Sequence, residues 1–167
     1  MLSNQEQIHQ AIEGLTTEIA SKLIERGWTM ATAESCTGGM IAAACTDLSG
    51  SSNWFERGWV TYSNAAKSTE LGVLKALIAQ HGAVSEPVAR AMAAGALQHA
   101  PVQVAVAVTG VAGPTGGSAD KPVGTVWFGW ATPGGIVSEV QHFAGDRAAV
   151  RTATVHHALQ KLLTLIA

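Results

Sequence analysis

Ser35 lies in Ala33-Glu-Ser-Cys-Thr-Gly-Gly39, after one apolar run and before another. That placement puts a hydroxyl where a strand turns into a helix, beside backbone N–H groups that the first helical turn leaves unpaired. Such a hydroxyl is a candidate nucleophile, and the amides of Cys36 to Gly39 are candidate donors to a developing oxyanion. A serine needs something to accept its proton. Two further polar clusters, Thr61-Tyr-Ser-Asn-Ala-Ala-Lys67 and Thr109-Gly-Val-Ala-Gly-Pro114, contain no histidine, and neither does the first. Lys67 is therefore the candidate base, on condition that burial or a nearby positive charge such as Arg147 keeps it neutral. Tyr62 could relay the proton or position the lysine. Serine, lysine and oxyanion donors together imply hydrolysis of an ester or an amide.

Taken singly, each of these residues has an ordinary role as well. Ser35 or Thr37 could simply cap a helix, Lys67 could be a solvated helix lysine, Tyr62 a half-buried strand residue, and Arg147 and Arg151 surface charges at a helix start. Cys36 could rival Ser35 as nucleophile, since a helix N-terminus acidifies a thiol, but with no histidine partner it reads as a small buried residue. Cys36 and Cys45 form no CxxC pair, and the six histidines are scattered, with His156 and His157 adjacent and unable to share a helix face. No metal site and no cofactor are expected.

These clusters must be positioned by regular elements. Ser3 and Glu6 have capping-box spacing, Ile8, Ile12, Leu15, Ile19 and Leu23 form one stripe, and Gly27 follows as a stop, which predicts a packing helix. Strands are predicted over 28–33, 58–62, 102–108, 123–131 and 136–143, the last two joined as a hairpin through Thr132-Pro-Gly-Gly135. The 102–108 run is apolar throughout, as in a strand covered on both faces at the middle of a sheet. Helices are predicted over 40–48, from a cap at Asn64 to before Gly72, over 74–80, from a cap at Ser85 towards Ala100, and from Gly145-Asp-Arg147 to the C-terminus. The Gly/Pro-rich stretch 110–122 is long for a connection and reads as a binding loop, with Lys121 as a candidate pocket charge. Alternating helices and strands with a terminal hairpin imply an α/β fold, a three-layer α/β/α arrangement with a mixed β-sheet, and ligands at one sheet edge.

The 167 residues fit one domain spanning 1–167, and only 13% of them are charged, which suits closely packed helices over a buried sheet. A net charge of −2 without a Lys/Arg block argues against a nucleic-acid partner. The start lacks the features of a signal peptide and no run is long enough to span a bilayer, so no membrane partner and a cytoplasmic location are expected. The five tryptophans read as core or subunit-contact residues, and Trp54 or Trp59 at an element edge would suit a homo-oligomer.

The segments AESCTGG (33–39), GSSNWFERGWVTYSNAAK (50–67), GAVSEP (82–87), TGVAGPTGGSADKPVGTVW (109–127) and FAGDR (143–147) closely resemble the CinA C-terminal domain family. The resemblance covers essentially the whole chain. Stand-alone members of that family are nicotinamide-nucleotide amidases, so it implies hydrolysis of nicotinamide mononucleotide to nicotinic acid mononucleotide and ammonia in pyridine nucleotide recycling. It implies that Ser35 is the nucleophile, Lys67 the base and Tyr62 a third catalytic member. Thr37, Gly38, Gly39, Asn64, Thr109, Gly110, Gly113 and Arg147 become candidates for holding the substrate, with helix-start amides or Arg147 suited to its phosphate. Thr109 stands where some relatives carry serine, which keeps the hydroxyl. Larger members add an N-terminal domain with an associated pyrophosphatase activity, which is not expected of these residues. Two rival readings remain: a nucleotide- or phosphate-binding sensor without turnover, and a broader small-amide or ester hydrolase.

Overall fold

A computed structural model describes all 167 residues. In chain order it contains α1 (Asn4–Arg26), β1 (Met30–Glu34), α2 (Met40–Thr46), a 3₁₀ turn (Ser51–Asn53), β2 (Phe55–Val60), α3 (Asn64–Leu71), α4 (Lys75–His81), α5 (Glu86–His99), β3 (Val104–Gly110), β4 (Thr125–Thr132), β5 (Gly135–His142) and α6 (Arg147–Leu165). The five strands form one sheet in the order β2-β1-β3-β4-β5. Its first three strands are parallel and its last two antiparallel, as predicted for a mixed sheet.

The two faces of the sheet differ in side-chain size. Met30, Val104, Val106, Val108, Val126, Phe128 and Trp130 point towards a large core shared with α1, α2 and α6. Ala33, Ala105, Ala107 and Ala131 point the other way, into a smaller core with Val88, Met92 and Ala96 of α5. Small residues let α5 lie close to the strands. A Cβ at Gly129 would run into the Ala89 carbonyl, and one at Gly95 into the Leu71 carbonyl, so both glycines are required by close approach. This asymmetry completes the three layers and buries β3 at the centre, where its apolar run predicted it.

Local signals set the helix ends, with several corrections. Ser3 and Glu6 form the expected box, the Glu6 amide donating to Ser3 Oγ at 3.3 Å and the Ser3 amide to Glu6 Oε2 at 2.7 Å. Gly27 ends α1 in the left-handed region, at φ 65°. The cap of α3 is Ser63 rather than Asn64, because the Ala66 amide donates to Ser63 Oγ at 3.0 Å. Ser85 occupies the N-cap position of α5 without capping it; its hydroxyl turns back and donates to the Gly82 carbonyl at 2.8 Å. The second strand begins earlier than predicted, since Phe55 already pairs with Met30, and an irregularity follows before Arg57 meets Ala31. Trp54 is 1% exposed and packs in the larger core, so it offers no subunit-contact surface. No helix is long and apolar enough to cross a membrane.

Candidate active site

Because β2, β1 and β3 are parallel, their C-terminal ends lie along one edge of the sheet. Ser35 follows β1, Thr61 and Tyr62 follow β2, and Thr109-Gly110 closes β3. The ladder bonds carry on past the strand ends and fix this meeting point: the Ser35 amide donates to the Val108 carbonyl at 3.1 Å, and the Thr61 amide to the Glu34 carbonyl at 2.9 Å. Clusters far apart in sequence thus converge where open α/β sheets hold ligands.

Lys67 reaches Ser35 from the first turn of α3. Its Nζ lies 3.1 Å from Ser35 Oγ, 2.7 Å from the Thr61 carbonyl oxygen and 3.2 Å from that of Tyr62. Lys67 is 1% exposed and Ser35 8% exposed, so the contact is sheltered from solvent. Burial holds the Lys67 pKa below the ordinary lysine value, opposed only by the electrostatic influence of Cys36. Arg147, the positive neighbour suggested by the sequence, is not among the causes of that shift. A neutral amine has two protons and one lone pair. Two carbonyls for the protons and one hydroxyl facing the lone pair match that inventory.

Cys36 is buried beside Ser35, and desolvation raises its thiol to about 11. It stays protonated near neutral pH and reads as a packing residue.

Glu34, which sequence reasoning passed over, organises the turn after Ser35. It is 1% exposed, and its carboxylate accepts from Thr37 Oγ1 at 2.6 Å, from the Ile41 amide at 2.8 Å and from the Ala42 amide at 3.0 Å. The chain thus supplies its own anion to the N-terminus of α2, whose cap residue Gly39 has no side chain to do so. An acid at the end of a fully buried strand, three residues before a threonine, was the available signal. Thr37 therefore spends its hydroxyl inside the protein, as does Thr109, which donates to the Ala83 carbonyl at 3.0 Å.

On the open side, Arg147 joins two loops: one guanidinium nitrogen donates to the Gly113 carbonyl at 2.9 Å and another to the Tyr62 hydroxyl at 3.1 Å. Tyr62 therefore offers Lys67 its main-chain carbonyl, while its exposed side chain pairs with Arg147. Asn64 is exposed at the start of α3, and Gly38 and Gly39 take the positive φ values of 58° and 103° that let the chain turn beside Ser35. Gly110 packs against Val126, where a Cβ would come within 2.7 Å of a methyl group, and Gly113 is buried against Val123. Lys121 is tied to the His81 carbonyl at 2.7 Å. A cavity of about 480 Å³ lies elsewhere, between α1, α2 and α6, and neither Ser35 nor Lys67 lines it. No three His, Cys, Asp or Glu side chains gather as a metal ion would need.

The chain is similar to known proteins along most of its length. The chain is 55% identical over 150 residues to the nicotinamide-nucleotide amidohydrolase PncC of Enterobacter agglomerans, covering 89% of this chain and 92% of that one. It is 52% identical over 154 residues to the PncC of Pseudomonas putida, covering 92% and 96%. The crystal structure of the competence/damage inducible protein CihA from Agrobacterium tumefaciens superposes with a TM-score of 0.92 at 43% identity, over 94% of this chain and 96% of that one. Residues 12–166 match the CinA C-terminal domain, and the chain belongs to that family.

Proposed function

We propose that this protein is a nicotinamide-nucleotide amidohydrolase, converting nicotinamide mononucleotide and water to nicotinic acid mononucleotide and ammonia, with residues 1–167 acting as one amidase domain. The observation that carries the chemistry is the sheltered 3.1 Å contact between Lys67 Nζ and Ser35 Oγ. The relatives named above supply the substrate.

In the first half-reaction Ser35 Oγ attacks the carboxamide carbon and its proton passes to Lys67. The contact is direct, so no relay through the Tyr62 hydroxyl is needed. The tetrahedral intermediate collapses as the C–N bond breaks, and the Lys67 ammonium returns the proton to the departing nitrogen as ammonia. Water then attacks the acyl-enzyme, giving a proton to Lys67, and Ser35 recovers its own as the C–O bond to the enzyme breaks. Oxyanion donors come from the turn after Ser35, because Glu34 occupies the Ile41 and Ala42 amides. The same carboxylate makes the start of α2 a poor place for a phosphate. Arg147, exposed beside Tyr62 and Gly113, is the better partner. Gly38, Gly39, Asn64, Gly110 and Gly113 shape the rest of the pocket, with Thr37 and Thr109 contributing through the main chain.

Incubating the purified protein and its Ser35→Ala variant with nicotinamide mononucleotide, while following ammonia and nicotinic acid mononucleotide together, tests this reading. Equal amounts of both products from the wild type alone are expected. Full turnover by Ser35→Ala would remove the mechanism, and a folded wild type that binds the nucleotide without releasing ammonia would make the protein a sensor.

A further inference from the structure

We infer that Arg151 is a positioning residue for catalysis, holding the peptide groups after Ser35 so that the unpaired amides of that turn are aimed and polarised for the oxyanion. The inference rests on the reading of Ser35 as a nucleophile.

Arg151 reaches the turn from α6, more than a hundred residues away in sequence. Its Nε donates to the Cys36 carbonyl at 3.1 Å and one terminal nitrogen to the Thr37 carbonyl at 3.3 Å. A peptide unit is planar and trans, so its carbonyl and the following N–H point in opposite directions. Gripping the Cys36 carbonyl therefore fixes the direction of the Thr37 N–H. That N–H has no acceptor within the chain, although Thr37 is 0% exposed. Gly38 donates to the Ser35 carbonyl at 3.0 Å and Met40 to the Thr37 carbonyl at 3.1 Å, while the amides of Cys36 and Gly39, like that of Thr37, have no acceptor within the chain. Buried amides left unpaired one and two residues after a nucleophile are suited to a charge that exists only during the reaction, since an orphaned buried N–H is otherwise unfavourable.

Charge strengthens the effect. A guanidinium on the carbonyl side of a peptide group draws electron density towards the oxygen and makes the N–H a better donor, as in any hydrogen-bonded chain. Glu34 grips the same turn through the Thr37 hydroxyl and the Ile41 and Ala42 amides, so the turn is held by a cation on one set of groups and an anion on another. Lysine cannot replace the arginine, because a single ammonium lacks the planar fork that reaches two successive carbonyls.

The test compares wild type, Arg151→Met and Arg151→Lys in two reactions. The first is turnover of nicotinamide mononucleotide across pH. The second is labelling of Ser35 by an alkyl fluorophosphonate, in which the Ser35 Oγ–P bond forms, the P–F bond breaks, fluoride leaves and the hydroxyl proton passes to Lys67. Both variants should lose kcat by about 10²-fold, the loss typical of one oxyanion donor. KM should stay within about twofold, the pH midpoint should not move, and labelling should slow in parallel. Added guanidinium at sub-denaturing concentration should restore part of the rate to Arg151→Met. A change confined to KM, a shifted pH midpoint, unchanged rates, or loss of fold in both variants by thermal melting would each overturn the inference. If wild type is labelled but releases no ammonia, the substrate reading fails while the labelling rates still decide the role of Arg151. If wild type does neither, both fall.

Discussion

The two strand-to-helix junctions that meet at the site are built on opposite principles. Between β1 and α2, Glu34, Ser35, Cys36 and Thr37 are all buried, and the turn is tied down by Glu34, Arg151 and the ladder bond to Val108. Between β2 and α3, Tyr62, Ser63 and Asn64 are exposed, and only Thr61 and Lys67 go inward. The first junction carries the proposed nucleophile and its amides, where an error of an ångström is expensive in rate. The second carries the proposed base, Lys67, on an otherwise open segment, beside the only charged side chain, Arg147, that bridges the two loops there. Rigid chemistry on one side and an accommodating surface on the other suit an enzyme that must fix a reacting carbon while admitting a larger substrate.

The largest effect should come from the one inward-facing residue of the open junction. Lys67→Met should lower kcat by about 10⁴-fold or more, as removal of the base from a nucleophile–base pair does, and labelled-product assays would read this directly. In the wild type, the depressed lysine pKa puts activity on an ascending limb: Lys67 is charged and inactive below its folded pKa and neutral and active above it, with a midpoint below about 10.4. Stability has the same sign. Between the folded and unfolded pKa values the unfolded chain binds more protons, so wild type should gain stability relative to Lys67→Met as pH rises through that window. Urea melts of both proteins at several pH values would show it, and a gap independent of pH would mean that burial does not perturb Lys67.

At the closed junction, Glu34→Ala should destabilise by roughly 3 kcal/mol, because the amides of Ile41 and Ala42 and the Thr37 hydroxyl lose a buried partner together. Glu34→Gln, which can still accept through its amide oxygen, should be milder. Chemical denaturation checks both. A loss below about 1 kcal/mol for Glu34→Ala would mean that the start of α2 finds other partners, and the contrast between the junctions would weaken.

What the sequence revealed divides along the same line. The serine, the lysine and the order of elements were legible because they rest on local signals: an apolar run, glycines, a Ser3–Glu6 box and a hairpin turn. The clamps were not. Glu34 looked like a motif letter because its partners are amides of a helix yet to form, and amide donors leave no mark in sequence. Arg151 looked like a surface charge because its acceptors are carbonyls more than a hundred residues away. Tyr62 reads as relaying the proton or positioning the lysine; its carbonyl accepts from Lys67, a main-chain contact no side-chain letter announces, and its hydroxyl faces Arg147. Trp54 reads as a core or a subunit-contact residue, and its burial in the larger core decides for the first.

The open junction should tolerate change at its exposed positions, and Tyr62→Phe is the sharper case. It removes the hydroxyl on Arg147 but keeps the carbonyl on Lys67, so KM for the nucleotide should rise about fivefold, roughly 1 kcal/mol, with kcat nearly unchanged. Steady-state kinetics separate the two quantities, and a 10²-fold fall in kcat would instead make the hydroxyl a proton relay. Ser63→Ala is gentler still. It removes the cap that accepts the Ala66 amide, at a stability cost of about 0.5–1 kcal/mol measured by urea denaturation. Because that amide lies at the solvent-exposed start of α3, water replaces the lost acceptor. Nothing replaces Glu34 at the corresponding place in α2, so the same kind of deletion, one helix-start acceptor removed, should have a several-fold larger effect on the side where Ser35 must not move.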